Sequence, residues 1–296
     1  MIPKVQIRKD AREFLGAEGA KGKSIVLLVD EVLSPLPFEA MSLLRDAASV
    51  SRDFSLHTLL KRVADSAELP DVQVTDLTFL VDLRNEDATV ATQFASMREK
   101  YGPDWPGAVG SSEGIPGEGE CQRLMSGARS MMYFGHGKLL SYVSPPAIAC
   151  IDLGVCRLAL LACNSTNKEA HATQKRLDSR KTDEEKCLDD PYKTAALLSV
   201  RGIDTVVLPT MASTTDTNAA LLTNLLSANE NPAEDAPLLD ISTSVWKSDA
   251  PKMVKKQKRD VDGEHQEGGS DKSDGEISKE SSEVPFRKFV VYGLPS

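Results

Sequence analysis

The chain has 296 residues, of which 41% are hydrophobic and 27% are charged, as in an ordinary globular protein. Its formal net charge of −9 argues against a nucleic-acid binder, because such a protein needs a basic surface to displace counterions from phosphates. The sequence contains no run of about 18 apolar residues, so it predicts no membrane span. The spacing of the five cysteines matches no zinc-binding pattern. We therefore expect reduced thiols in a cytoplasmic protein, without a metal or a cofactor.

Apolar runs alternate with segments of helical spacing along most of the chain. In order, the predicted elements are a strand over 24–30, helices over 38–48 and 54–64, a strand over 77–82, a helix over 88–100, a loop over 102–119, a helix over 120–129, strands over 131–134 and 157–162, a helix over 192–200, a strand over 205–208, a helix over 216–228 and a strand over 286–292. Strands separated by helices predict an α/β fold with a mostly parallel sheet.

Two segments do not resemble a packed core. Residues 166–190 are highly charged, and we predict a partly ordered surface insertion there. Residues 247–284 are a low-complexity mixture of basic, acidic, Ser and Gly residues, which predicts a disordered polyampholyte loop. Because a strand pattern resumes afterwards, one domain is predicted from 1–246 together with 285–296.

His136 and Cys163 each follow an apolar strand, and functional groups in parallel sheets gather beyond the carboxyl ends of strands. A nucleophilic cysteine needs a nearby base, which His136 would supply. The amides of Gly137 and Cys163 are candidate oxyanion donors. On spacing alone an alternative stays open, since a cysteine at a strand end is usually a small hydrophobe and a histidine between glycines is often a turn residue.

The same residues carry a resemblance to separase and the CHAT peptidases of the caspase-like clan. The segments Tyr133-Phe-Gly-His-Gly137 and Leu160-Leu-Ala-Cys-Asn-Ser165 resemble their histidine and cysteine motifs. Residues 28–39, 105–110 and 291–295 resemble other family elements, so the resemblance spans nearly the whole chain. It implies a caspase-like three-layer sandwich with helices on both faces of the sheet, and a Cys163–His136 dyad.

A second and nearer resemblance is to the carboxyl-terminal region of the large cilia- and flagella-associated protein of the axonemal central-pair apparatus. It rests on residues 138–143, 156–161 and 194–206. It implies a cytoskeletal scaffold in the axoneme of a cilium or flagellum, with central-pair projection proteins as partners.

The chain departs from the separase pattern after the third strand of the motif region, where separases carry acids that hold a basic P1 residue. Only Asp216 is a candidate acid of a substrate pocket here, and it is equally well explained as the N-cap of the following helix. Two functions therefore stay open. One is a non-catalytic scaffold for cilium assembly and motility, and the other is a cysteine endopeptidase.

Overall fold

The computed structural model describes residues 20–66, 76–164, 166, 168–228 and 289–293, and its centre is one eight-stranded sheet. The strands are β1 (Ser24–Leu28), β2 (Ser49–Asp53), β3 (Leu77–Val81), β4 (Gly107–Val109), β5 (Ser130–His136), β6 (Leu158–Asn164), β7 (Thr205–Pro209) and β8 (Phe289–Tyr292). The helices are α1 (Leu56–Ser66), α2 (Ala88–Tyr101), α3 (Glu118–Ser126), α4 (Pro145–Ala149), α5 (Lys168–Asp178), α6 (Asp183–Leu188), α7 (Pro191–Val200) and α8 (Thr215–Ala228).

The strand order is β1-β2-β8-β7-β6-β5-β3-β4. Among the described strands, six of the seven pairings are parallel, and β7 and β8 pair antiparallel. The sheet therefore consists of two parallel blocks of opposite direction that meet where β7 joins β8. The predicted mostly parallel α/β sheet is confirmed.

Helices cover both faces of this sheet, because its central strands are apolar on both sides. We call first face the side that carries Met131 and Tyr133 of β5, and α3, α4 and α7 pack there. We call second face the side that carries Met132 and Phe134, where α2 and α8 pack. The result is the predicted three-layer arrangement of helix, sheet and helix.

The largest difference from the predicted elements lies between β1 and α1. The predicted helix over 38–48 is replaced by two short 3₁₀ turns, over Phe38–Ala40 and Ser42–Leu44, and β2 begins directly afterwards at Ser49. A continuous helix needs an apolar face to bury, but Met41 remains 39% exposed. Strand β2 escaped prediction because its sequence, SVSRD, contains a single apolar residue although all five positions are buried.

The strands of the motif region are longer than their apolar runs. β5 extends to His136 and β6 to Asn164, two residues beyond the ends of the predicted strands in each case. The short edge strand β4 lies in the stretch 102–119 that was predicted to be a loop.

Within the charged segment 166–190, the described residues form α5 and α6. Thr182 caps α6 through a capping box with Glu185, and Ala170 and Leu177 of α5 are buried. The predicted loop over 247–284 lies outside the described residues. In the described part of the chain, no helix combines the length and the apolar character needed to cross a membrane.

Candidate functional site

The two candidate catalytic residues lie on neighbouring strands. β5 and β6 pair in parallel to their last residues, with Gly135 opposite Cys163 and His136 opposite Asn164. Both His136 and Cys163 are therefore inside the paired strands and not in the loops that follow them. Their side chains consequently obey the alternation of a β-strand.

This alternation directs the two side chains to opposite faces of the sheet. Cys163 packs against the cluster of the first face, as does Leu161 two residues before it. His136 is two residues after Phe134, which belongs to the second face. A shift of one residue in the β5–β6 register would have placed both side chains on the same face.

On the second face, His136 is held by Asp87, the residue directly before α2. Its ring is 2% exposed, and its Nε2 lies 2.7 Å from Oδ2 of Asp87. Burial raises the pKa of the Asp87 carboxyl, but hydrogen bonds from His136 and from Thr89 lower it by more, so that the net shift of the pKa is downward. The carboxylate is therefore ionised at neutral pH, and the ring nitrogen is the donor.

Asp87 has its position because Asp82, which follows β3, orders the loop between them. The Asp82 carboxylate accepts hydrogen bonds from the amides of Glu86 at 2.9 Å and Asp87 at 3.0 Å. Its own amide donates to the carbonyl of Phe134 in β5 at 2.9 Å. Asp82 adopts a φ of +38°, which is rare for a residue with a side chain. The loop is thus fastened to β5, and the carboxylate of Asp87 meets His136.

Cys163 lies in a setting that disfavours the thiolate. Its side chain is half-buried, and burial raises the pKa of the thiol to about 11, although the positive charge of Lys138 opposes the shift. Ser213 fixes the backbone at this point by donating a hydrogen bond to the Cys163 carbonyl at 3.0 Å. At neutral pH the thiol is protonated, and the protonated form is a poor nucleophile.

Gly137 follows β5 with a φ of +72°, a conformation that favours glycine. A Cβ at this position would lie 3.0 Å from Oε1 of Gln174 in α5. The same oxygen accepts a hydrogen bond from the amide of Lys138 at 3.1 Å. The predicted oxyanion donor Gly137 is thus next to a side chain of the charged segment.

The segment from α5 to α6 is anchored on two sides of Gly137. Arg176 contacts Glu86 at 2.9 Å, in the loop between β3 and α2. Lys181, which is 10% exposed, contacts Asp189 at 2.5 Å and Ser141, in the turn after β5, at 2.8 Å. We call residues 168–190 the strap, because their contacts join these two loops.

Asp216, the predicted pocket acid, lies in the first turn of α8, on the helix that covers the second face. Its Oδ1 accepts a hydrogen bond from Nε2 of Gln93 in α2 at 2.7 Å. The alternative prediction, that Asp216 is the N-cap, is wrong by two residues. The hydroxyl of Thr214 accepts from the amide of Thr217 and caps the helix.

The residues that hold His136, Gly137 and Cys163 were not found from the sequence. Asp87 had a local signal, since Asn85-Glu-Asp87 reads as a turn before a helix and an acidic N-cap is common there. Gln174 and Lys181 had none, because a charged segment does not reveal where it will pack. Among the residues described, no group of three or more His, Cys, Asp or Glu side chains is placed to bind a metal ion.

The sheet and its helices match solved structures of separase. Two crystal structures of the Saccharomyces cerevisiae separase–securin complex, at 3.0 and 2.6 angstrom resolution, align with TM-scores of 0.59 and 0.57. Sequence identity is 19% and 15%, and the alignments cover 91% of this chain but 15% and 16% of those chains. The chain therefore has the caspase-like fold of separase.

The chain is also similar in sequence to a protein of cilia and flagella. The chain is 29% identical over 247 residues to Cilia- and flagella-associated protein 46 of Chlamydomonas reinhardtii, and the match covers 67% of this chain and 9% of that protein. No protein-family model matches the chain. The predicted resemblance to separase and to a cilia- and flagella-associated protein is confirmed, and the chain spans only a small part of each of these relatives.

Proposed function

We propose that this caspase-like domain is a structural scaffold in a cilium or flagellum, and that it contributes to cilium assembly and motility without peptidase chemistry. The observation that carries the proposal is the separation of Cys163 from His136 by the sheet. A cysteine nucleophile needs its base within hydrogen-bond reach, and here the histidine is engaged by Asp87 on the second face.

Two features of the first face support a non-catalytic role. The thiol of Cys163 is protonated at neutral pH, because burial raises its pKa to about 11. The strap lies against Gly137, where a peptide substrate would need to approach the predicted oxyanion donor. Asp216 supplies no acid to a substrate pocket beside Cys163, because it belongs to α8, which packs on the second face.

The similarity to a cilia- and flagella-associated protein supports a location in the cilium or flagellum. We infer further that the domain lies in the axoneme and that its partners are proteins of the central-pair projections. The charged surface segment 166–190 suits docking to such partners, because charged groups at an interface favour the correct orientation of two proteins.

Detergent extraction of ciliated cells that express the tagged protein tests this location. We expect the protein to remain with the axoneme and to be released only by high salt. Recovery in the soluble or nuclear fraction, with none in the axoneme, would contradict the proposal. The Cys163→Ala variant should be retained equally and should restore motility to cells that lack the protein, whereas deletion of the domain should not.

The second candidate function is a cysteine endopeptidase. One observation favours it, since a carboxylate that holds the ring of His136 is also how catalytic triads orient their base. In such an enzyme Cys163 would attack the peptide carbonyl, and His136 would protonate the leaving amine. This function requires a conformation in which the two side chains reach the same face.

Labelling with electrophilic peptides separates the two functions. The scaffold predicts that labelling of Cys163 at pH 8 is about two orders of magnitude slower than for an ordinary thiol of pKa near 8.5, and that it rises towards the pKa of about 11. Labelling of exposed Cys150 serves as the control for access of the reagent. Rapid labelling near neutral pH, abolished by Cys163→Ala and reduced by His136→Ala, would instead establish the endopeptidase.

A further inference from the structure

A pocket of about 340 Å³ lies where the turn after β1 meets the junction of α6 and α7. Its lining includes the thiol of Cys187 and three lysines, Lys138, Lys186 and Lys193. Cys187 is exposed, in contrast to buried Cys121 and Cys156. The pocket therefore combines an accessible thiol with an excess of amino groups.

Within this pocket Cys187 and Lys193 are in direct contact across the α6–α7 junction. Nζ of Lys193 lies 2.7 Å from Sγ of Cys187. This separation is ordinary for an N–H···O hydrogen bond and short for a bond to the larger sulfur atom. Nζ also lies 3.0 Å from Oε1 of Glu31, in the turn after β1, so the amine is held in place from two directions.

We propose that Cys187 and Lys193 are a redox-sensitive pair, which peroxide joins covalently through one oxygen atom between Sγ and Nζ. The reaction is a modification at a surface pocket. It uses neither Cys163 nor His136, and it is independent of the scaffold function.

The chemistry requires two molecules of peroxide. The first oxidises the thiol to a sulfenic acid and releases water. The second oxidises the sulfenic acid and the neutral amine together, so that the oxygen of the sulfenic acid becomes bonded to nitrogen and two further waters leave. The product has gained one oxygen and lost two hydrogens relative to the reduced pair. A thiol that attacks the sulfur of the bridge breaks the bond between sulfur and oxygen, which leaves a mixed disulfide on Cys187 and a hydroxylamine on Lys193.

The geometry explains why this pair reacts and another thiol does not. The sulfur of Cys187 and the nitrogen of Lys193 are already in contact, so the second oxidation joins two groups that are held side by side. Cys150 is also exposed, but among the described residues no lysine is hydrogen-bonded to it. Once bridged, the Lys193 nitrogen is no longer an ammonium, so the ion pair with Glu31 is lost and α6 becomes tied to α7.

Peptide mapping of the purified full chain tests the proposal. The reduced protein is divided, one half is treated with dilute hydrogen peroxide, and both are alkylated and digested with trypsin. Trypsin cuts after lysine, so the reduced protein gives the alkylated peptide 187–193. A bridged Lys193 resists trypsin. The expected product is therefore peptide 187–201, which ends at Arg201, with one oxygen more and two hydrogens fewer.

Two variants identify the atoms involved. Lys193→Arg keeps a positive charge beside the thiol but has no amine to bridge, and Cys187→Ser removes the thiol. Both should lose the bridged peptide, and the alkylation of Cys150 should be the same before and after peroxide. Cleavage after Lys193 with Cys187 converted to sulfinic acid, or with Cys187 in a disulfide, would overturn the proposal. So would a bridge that persists in Lys193→Arg.

Discussion

His136 and Cys163 are separated by the parity of their positions in two paired strands. Gly135, and not His136, is the partner of Cys163 in the ladder. Since side chains alternate along a strand, the histidine and the cysteine leave the sheet on different sides. The motif order in the sequence does not show this, because it does not reveal the register of β5 and β6 or how far each strand continues.

Asp87 holds the ring of His136 in position, and substitution of Asp87 tests how much this contact stabilises the fold. Asp87→Asn keeps an N-cap for α2 but removes the charged partner of His136, so we expect a loss of about 1.5–3 kcal/mol in the free energy of unfolding, measured with urea at pH 7. Asp87→Ala should lose about 1 kcal/mol more, because it also removes the cap.

The pH dependence of stability gives a second measure of the same contact. The pKa of Asp87 is lowered in the folded state. Its contribution is therefore fully present above the unfolded pKa of about 3.9, and it is lost as the pH falls through the lower folded pKa. Asp87→Asn should flatten the acid limb of the stability curve. An unchanged acid limb would show that the carboxylate does not stabilise the fold.

Helices and strands with a regular apolar pattern were predicted well, and those without one were not. α2 was predicted to within a residue because a turn, Asn85-Glu-Asp87, precedes it and Gly102 follows it. β2 was missed because its buried residues are mostly polar, and its Arg52 is satisfied by an ion pair with Glu39. Because such a partner lies outside the strand, the residue pattern of the strand itself does not predict the contact.

The strap makes a prediction of its own, because its ion pair is buried. Lys181 is 10% exposed and Asp189 is 4% exposed. Removing one member of a buried pair leaves an uncompensated charge. Lys181→Ala should therefore destabilise the strap by about 3–5 kcal/mol, seen as faster amide hydrogen exchange over 168–190 and faster alkylation of Cys163.

The matched control is Lys175→Ala, in the same strap but at an exposed position. A substitution there should change stability by no more than about 0.5 kcal/mol. Equal exchange rates in the two variants would mean that the Lys181 contact does not hold the strap in place.

The two parallel blocks of the sheet are joined through β8, which pairs with β2 on one side and β7 on the other. Its four residues are all buried. The chain thus brings a short strand from its last residues to the middle of the sheet. The two blocks are therefore held together by a strand that is distant in sequence from the candidate site.

Deletion variants test this dependence. Removing residues 289–296 exposes the strand edges of β2 and β7 and loses the burial of four apolar side chains, each contributing about 1.5–3 kcal/mol. This approaches the total of about 5–15 kcal/mol that holds a domain folded, so we expect no cooperative thermal unfolding transition. Removal of 247–284, the predicted disordered loop, should leave the melting temperature nearly unchanged. A large decrease would show that this segment contributes to the fold.

Composition and pattern were sufficient to predict an α/β domain with a mostly parallel sheet and a histidine and a cysteine at the ends of two of its strands, and the resemblance to separase implied the helices on both faces. They suffice because burial of a parallel sheet demands apolar runs between helices, and this demand is local. The face on which each side chain lies, the contact of His136 with Asp87, the protonated thiol of Cys163 and the position of the strap depend on register and burial. These are set by contacts between residues distant in sequence, and therefore by packing of the folded chain.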